Sequence, residues 1–149
     1  MKIEQAINQT KPFRSNHQKV MVNLLFTNNW LLQKQKAFFQ SYDITGKQYN
    51  VLRILRGAGE PISTSTIRER LLDKMSDASR VVDRLYKKGL VGKNTCPSDK
   101  RLVDVFVTTD GEKLLKIIDK KSDELDQITG KLTDREAAQL SNLLDKLRS

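Results

Sequence analysis

The longest helical pattern in the sequence runs from about His17 to Ser41. Apolar residues recur along it at helical spacing, from Val20 through Leu24 and Leu31, with polar residues between them. A chain of 149 residues has room for one domain, or for two lobes that share its length, so a helix this long needs a partner along much of its surface. The pattern therefore predicts a single domain whose longest helix is not covered by its own chain.

Local signals predict shorter elements in the middle of the chain. The run from Thr45 to Gln48 is a capping box that starts a helix. Ser63 is a plausible cap for a short helix, and Gly89 can close the helix that starts between Asp73 and Ser76. The predicted helices span about 46–56, 63–72 and 76–88, and two predicted strands at 90–94 and 103–107 form a hairpin.

The last third of the chain is predicted to be helical. One amphipathic helix is expected from about Asp110 to Thr129, and a second capping box from Thr133 to Glu136 opens a final helix. The fold class predicted is therefore mainly α with a small β-hairpin wing (α+β). The order of the helices before the hairpin is that of a winged helix-turn-helix.

The charge of the chain points to a polyanionic partner. The net charge is +9, and residues 68–101 hold ten basic and five acidic groups, whereas residues 110–149 hold eight basic and nine acidic groups. The excess makes the middle of the chain the part that faces a polyanion, and charge alone does not choose between nucleic acid and an anionic membrane.

The exposed face of the helix predicted over 76–88 suits the major groove. Arg80 can make a bidentate contact with guanine, while Arg84 and Lys87 are placed to contact phosphates. Asp77 favours the helix dipole or accepts from a cytosine amino group. The alternative is a solvated face on which Asp77 and Asp83 pair with the arginines. The candidate DNA-binding residues of this helix are Ser76, Asp77, Ser79, Arg80, Arg84 and Lys87.

The hairpin loop supplies a second candidate contact. Lys100 and Arg101 lie at or near its tip, where an arginine can enter the minor groove, and Asp99 can orient Arg101. The alternative is an ordinary polar turn. Cys96 in the same loop is either an inert surface thiol or an oxidisable one.

Two stretches of the sequence resemble the MarR family of transcription regulators. The stretch from Asp99 to Gly111 resembles the family's wing signature, D-x-R-x-x-x-V-x-L-T-x-x-G, and departs from it only at Val107, where leucine is usual. The stretch from Ser79 to Val91 resembles the recognition helix and its exit, S/T-R-x-V-D-R-L-x-x-x-G-L-V. The resemblance implies a homodimer that binds a pseudo-palindromic operator and usually represses nearby genes.

The resemblance also implies how the chain is divided. Residues 1–41 and 110–149 would form the dimerisation helices, and residues 45–109 would form the winged helix DNA-binding lobe of a single domain, 1–149. The alternative for the C-terminal leucines is a core within one chain. The dimer candidates are Leu140, Leu143, Leu144 and Leu147.

Many family members are released from DNA by small aromatic acids bound between the dimer helices and the DNA-binding lobe. Trp30, Phe38 and Tyr42 are the residues of this chain that could line such a crevice. The alternative is that they form part of the core.

Several function classes are not expected. One Cys and one His cannot supply a zinc site, so no metal or other cofactor is expected. The N-terminus resembles no signal peptide and no stretch approaches the ~20 apolar residues of a membrane span, so we expect a cytoplasmic protein. The sequence has no phosphate loop and no nucleophile with a plausible base, so we expect no enzyme. The competing function is a winged-helix protein-interaction module without specific DNA binding.

Overall fold

The computed structural model of the chain describes residues 1–95, 97–99 and 101–149. Over these residues the protein is mainly helical with one small sheet, which confirms the predicted fold class. The elements in chain order are α1 (Ile3–Ala6), α2 (Asn16–Gln40), α3 (Gly46–Ala58), β1 (Ile62–Ser63), α4 (Thr64–Arg70), α5 (Ala78–Lys87), β2 (Val91–Thr95), β3 (Val103–Val107), α6 (Thr109–Asp119), α7 (Ser122–Asp126) and α8 (Asp134–Arg148).

The main core lies in the middle of the chain. Helices α3, α4 and α5 pack together and against the sheet, and their inward apolar side chains are almost completely buried. Each such side chain stabilises the fold by about 1.5–3 kcal/mol relative to leaving it in water. The most deeply buried members are Val51, Leu52, Ile67, Ala78, Leu85, Val105 and Leu115.

The sheet has three antiparallel strands in the order β1-β3-β2. The hairpin pairs Val91 with Val107 and Thr95 with Val103, close to the predicted strands. Strand β1 was not predicted, because two residues are too few to show an alternating pattern. The ring of Phe106 covers Gly92 so closely that a Cβ there would lie 2.3 Å from it.

Local capping signals predicted several helix starts correctly. The Thr45 hydroxyl accepts from the Gln48 N–H at 3.1 Å, and the Gln48 side chain accepts from the Thr45 N–H at 3.1 Å. Thr133 and Glu136 form the second capping box, and Ser63 caps α4. These contacts involve only neighbouring residues, so the sequence alone can encode them.

Two predicted helix boundaries were wrong. Helix α5 starts at Ala78, later than the 73–76 expected, because Asp73 closes a turn and Asp77 caps the helix. The helix expected from Asp110 to Thr129 is divided into α6 and α7. The break is made by backbone bonds that reach back three residues, from Lys121 to Ile118 and from Glu124 to Lys121. No Gly or Pro marks it in the sequence.

The terminal helices expose much of their apolar surface. Among the described residues, Phe39 is the one residue of α2 that is buried, and no residue of α8 is buried. Helix α8 makes only marginal contact with the other described elements. The large apolar residues exposed on these two helices are Val20, Met21, Leu25, Phe26, Trp30, Leu32, Leu140, Leu143 and Leu147.

One bidentate ion pair ties the central core to the C-terminal helices. The two terminal nitrogens of Arg56, near the end of α3, donate to the two carboxylate oxygens of Asp119, at the end of α6, at 2.7 and 3.1 Å. The guanidinium hydrogen bonds hold the pKa of Asp119 below its usual value. The same contact raises the pKa of Arg56.

The Arg56–Asp119 pair predicts a pH-dependent contribution to stability. Because the folded pKa of Asp119 is lowered, its contribution is complete above the unfolded pKa of about 3.9 and is lost as pH falls through the folded pKa. Both side chains are partly exposed, so we expect Asp119→Asn to lower the free energy of unfolding by about 0.5–1 kcal/mol at pH 7. Below the folded pKa the difference from wild type should disappear.

Urea denaturation at a fixed protein concentration, repeated from pH 7 down to pH 2.5, measures this difference. Asp123→Asn, which removes an exposed carboxylate on α7, is the matched control and should follow the wild-type curve. A deficit in Asp119→Asn that is independent of pH would show that the ion pair does not contribute as described.

Candidate nucleic-acid interface

Helix α5 separates its apolar and polar residues onto opposite faces. Ala78, Val82 and Leu85 are buried at the spacing i, i+4, i+7 and fix the helix against the core. The side chains on the opposite face are exposed over the whole length of the helix. The candidate DNA-binding residues on that face are Ser79, Arg80, Arg84 and Lys87.

The start of α5 is fixed by Asp77. Its carboxylate accepts from the backbone N–H of Arg80 at 3.2 Å, which satisfies one donor of the first turn. The same carboxylate lies 3.7 Å from the Nε of Arg80, so the ion pair considered as the alternative is present but long. The Arg80 side chain is still 81% exposed and remains accessible to a ligand.

An acidic residue also organises the turn before α5. Asp73 accepts hydrogen bonds from the Met75 N–H at 3.0 Å and the Ser76 hydroxyl at 2.9 Å, and it lies 3.0 Å from the Nζ of Lys47. The hydrogen bonds from Lys47, from the Ser76 hydroxyl and from the Met75 N–H lower the pKa of Asp73, and Lys47 has the largest effect. Ser76 therefore lies before α5 and is half-buried, and its hydroxyl is engaged in a hydrogen bond to Asp73.

Helix α5 is also tied to the hairpin. Lys93 on β2 donates to the Asp83 carboxylate on α5, and its ammonium lies 4.9 Å from the centre of the Tyr86 ring. Asp83 thus pairs with the hairpin rather than with an arginine of its own helix. No local pattern predicts this contact, because ten residues and a chain reversal separate its partners.

The described part of the hairpin loop presents one very exposed cation. Arg101 is 90% exposed, and its Nε lies 3.1 Å from the Oδ1 of Asp99. The same oxygen accepts from the Arg101 backbone N–H at 3.0 Å. These contacts lower the pKa of Asp99 and orient the arginine as expected. Lys100 and Cys96, also named as candidates, lie outside the described residues.

The structure separates the three aromatic residues considered for a ligand pocket. Phe38 and Tyr42, 5.3 Å apart between ring centres, pack on the cluster around Phe39 and Ile118. Trp30 lies eight residues earlier on α2, about 12 Å along the helix axis. Trp30 lines a cleft of about 520 Å³ between α1 and α2, and neither Phe38 nor Tyr42 lines that cleft.

The C-terminal leucines do not join a core within the protomer. Leu140, Leu143 and Leu147 are exposed, and Leu144 is half-buried.

In the part of the chain that the structure describes, no three His, Cys, Asp or Glu side chains are grouped so that they could hold a metal ion. Over residues 1–95, 97–99 and 101–149, none of the helices is long and apolar enough for a membrane span.

Sequence reasoning overlooked two exposed apolar residues beside the candidate interface. Leu72 and Met75 lie in the turn between α4 and α5 and are 86% and 94% exposed. The expected start of the helix, between Asp73 and Ser76, left the position of Met75 open, and Leu72 was placed at the end of the preceding helix. No sequence signal revealed it, because Met75 lies three residues before Ala78 and seven before Val82, a spacing that would place it on the buried face of a longer helix.

Comparison with known proteins identifies the family. A family model described as the MarR family matches residues 44–103. The multiple antibiotic resistance protein MarR of Salmonella typhimurium is 32% identical over 121 residues, which are 77% of this chain and 83% of that protein. The alignment thus spans most of both proteins.

Solved structures show the same similarity. A mutant MarR from E. coli complexed with operator DNA is 29% identical, with a TM-score of 0.72, over 83% of this chain and 89% of that one. BpsR from Bordetella bronchiseptica, solved in a study of how 6-hydroxynicotinic acid regulates its DNA binding, is 25% identical. Its TM-score is 0.70, over 85% of this chain and 99% of that one.

These similarities confirm the winged helix fold and the resemblance read from the two sequence stretches. They also confirm that the chain is not an enzyme, because the family consists of transcriptional regulators. The chain belongs to the MarR family of DNA-binding transcription regulators.

Proposed function

We propose that the protein is a homodimeric repressor that binds a pseudo-palindromic operator in the cytoplasm through α5 and the hairpin loop. The observation that carries the proposal is the division of α5 into a buried apolar face and an exposed face bearing Arg80, Arg84 and Lys87. The major groove admits one helix, and the polar face of α5 is the surface that would enter it.

The positions of the cations support a division of roles. Arg80 lies in the first turn of α5, the part of a recognition helix that meets base edges, and its side chain is exposed enough to contact guanine. Arg84 and Lys87 lie one and two turns later and contact phosphates, which raises affinity without reading sequence. Arg101, held by Asp99 at the hairpin loop, enters the minor groove beside the operator half-site.

The exposed apolar surface of the terminal helices supports the dimer. Leu140, Leu143 and Leu147 lie three and four residues apart on α8, and the side chains of all three are exposed in the single chain. A monomer would leave this surface and that of α2 in water, whereas two copies can cover each other. Residues 1–41 and 110–149 then form the assembly half of one domain, and residues 45–109 form the DNA-binding half.

We also propose that a small aromatic acid releases the protein from DNA. The support is the half-buried rings of Phe38 and Tyr42, which pack on the same apolar cluster as Tyr49 where α2 meets α6. The guanidinium of Arg53 lies 5.9 Å from the centre of the Tyr49 ring. Such a site offers ring contacts for an aromatic acid and a cation for its carboxylate. The study of BpsR names an acid of this class.

The assigned roles predict different effects of two alanine substitutions. Arg80→Ala should lower affinity for the operator by about 5- to 150-fold, equivalent to ~1–3 kcal/mol, and should relax preference at specific bases. Arg101→Ala should weaken binding to operator and random duplexes by similar factors. Fluorescence anisotropy with a genomic operator fragment, at several salt concentrations, measures both.

Wild-type affinity should fall steeply with added salt, because each neutralised phosphate releases counterions. Lys146→Ala, which removes a cation from α8 away from α5, is the control and should leave the salt slope unchanged. If both arginine variants lost affinity equally on operator and random DNA, the assigned roles would be wrong. If the wild-type protein ignored duplex DNA at low salt, the protein-interaction function would be favoured.

Substitutions of Asp77 separate its capping role from its charge. Asp77→Ser keeps a hydroxyl cap and removes a negative charge facing the phosphates, so it should retain stability and bind random duplexes more tightly than wild type. Asp77→Ala should cost about 1 kcal/mol of unfolding free energy through loss of the cap. Urea denaturation and anisotropy measure the two effects, and weaker binding by a stable Asp77→Ser would assign the carboxylate to base recognition instead.

The dimer is tested by sedimentation at micromolar concentration. Wild-type protein should sediment as a dimer, and Leu143→Glu should shift it to monomer, because the substitution puts a charge into the proposed interface. Leu72→Glu is the matched control, since Leu72 is at least as exposed but lies in the DNA-binding half. A monomeric wild type, or an unchanged Leu143→Glu dimer, would contradict the assignment.

A further inference from the structure

The turn before α5 exposes two large apolar side chains next to the exposed face of α5. Met75 is 94% exposed and Leu72 is 86% exposed, more than any other large apolar residue in the described chain except Met1. Lys47 and Arg80 lie close to the turn and pair with Asp73 and Asp77, and the Arg80 side chain stays 81% exposed. Solvent exposure of apolar area is unfavourable, so two such neighbours beside a candidate binding surface suggest a ligand that covers them.

Hydrogen bonds hold the backbone of the turn at Met75. The backbone N–H of Met75 donates to Asp73, which is itself held by Lys47 and by the Ser76 hydroxyl. The side chain of Lys74 donates to the backbone carbonyl of Glu69 at the end of α4. Met75 is therefore presented on a closed turn three residues before the first residue of α5.

The N-terminal end of a recognition helix is the end that contacts base edges in the major groove. There, thymine alone presents a methyl group, and apolar side chains recognise it by direct contact. We infer that Met75 is a specificity-determining residue that packs on the C5-methyl group of a thymine in each operator half-site.

The surroundings of Met75 favour DNA over an apolar protein partner. Residues 68–101 hold ten basic and five acidic groups, an excess that attracts phosphates, and a duplex offers the methyl group of a base-paired thymine beside them. The unbranched thioether of methionine adapts its shape to a small methyl group at little cost. The inference rests on the proposed function, because it requires α5 to occupy the major groove.

Replacement of single thymines by uracil tests the contact, since uracil lacks the methyl group and keeps the same base-pairing edge. The operator is first selected from a random duplex pool with the full-length protein. Each thymine of one half-site is then replaced in turn, and the affinities of wild type, Met75→Gln, Met75→Leu and Leu72→Gln are measured by anisotropy. Burial of one methyl group predicts a loss of about fourfold for wild type at one position.

The variants identify the residue responsible. Met75→Gln should bind the thymine and uracil duplexes equally at that position, whereas Met75→Leu and Leu72→Gln should keep the wild-type discrimination. Because Met75 is exposed, thermal unfolding of its variants should match wild type. Discrimination that persists in Met75→Gln, or that disappears in Leu72→Gln instead, would overturn the inference.

The test also separates this inference from the proposed function. Wild-type protein that selects a specific operator but tolerates uracil at every position would overturn the methyl contact and leave the proposed function intact. Wild-type protein that selects no sequence at all would overturn both.

Discussion

The candidate DNA-binding surface depends on the burial of one face of α5. Ala78, Val82 and Leu85 are enclosed by α3, α4 and the sheet, which leaves the helix little freedom to rotate about its axis. The direction of Arg80 and of the other exposed residues follows from that packing. A cavity made in this core would therefore disturb recognition as well as stability, even though no core residue contacts a ligand.

Features encoded by neighbouring residues could be predicted from the sequence. The capping boxes at Thr45 and Thr133 need only a hydroxyl and a carbonyl oxygen three residues apart, and both are formed. The apolar spacing of α5 identified its buried face, and the alternation from Val103 to Val107 identified the second hairpin strand. The candidate cations on α5 could be named for the same reason, since exposure follows from periodicity.

Features that depend on distant contacts could not be predicted. The break between α6 and α7 was missed because Ile118 and Leu125 are seven residues apart, a spacing that also places two side chains on one face of a continuous helix. The cleft that Trp30 lines depends on how α1 folds back on α2. The pairing of Lys93 with α5 requires knowledge of the hairpin's register. For the cleft and the ion pair the deciding partner lies on another element, so local patterns carry no record of it.

The contact of Lys93 with α5 has a consequence for the shape of the bound duplex. Because its ammonium contacts both Asp83 and Tyr86, these side chains hold β2 against α5 and oppose a change in the distance between them. A helix and a strand linked in this way adjust less easily to the spacing between a major groove and the minor groove next to it. Sequences that bend or narrow easily would fit at lower elastic cost, so flexible steps between the contacted bases would be favoured although no side chain touches them.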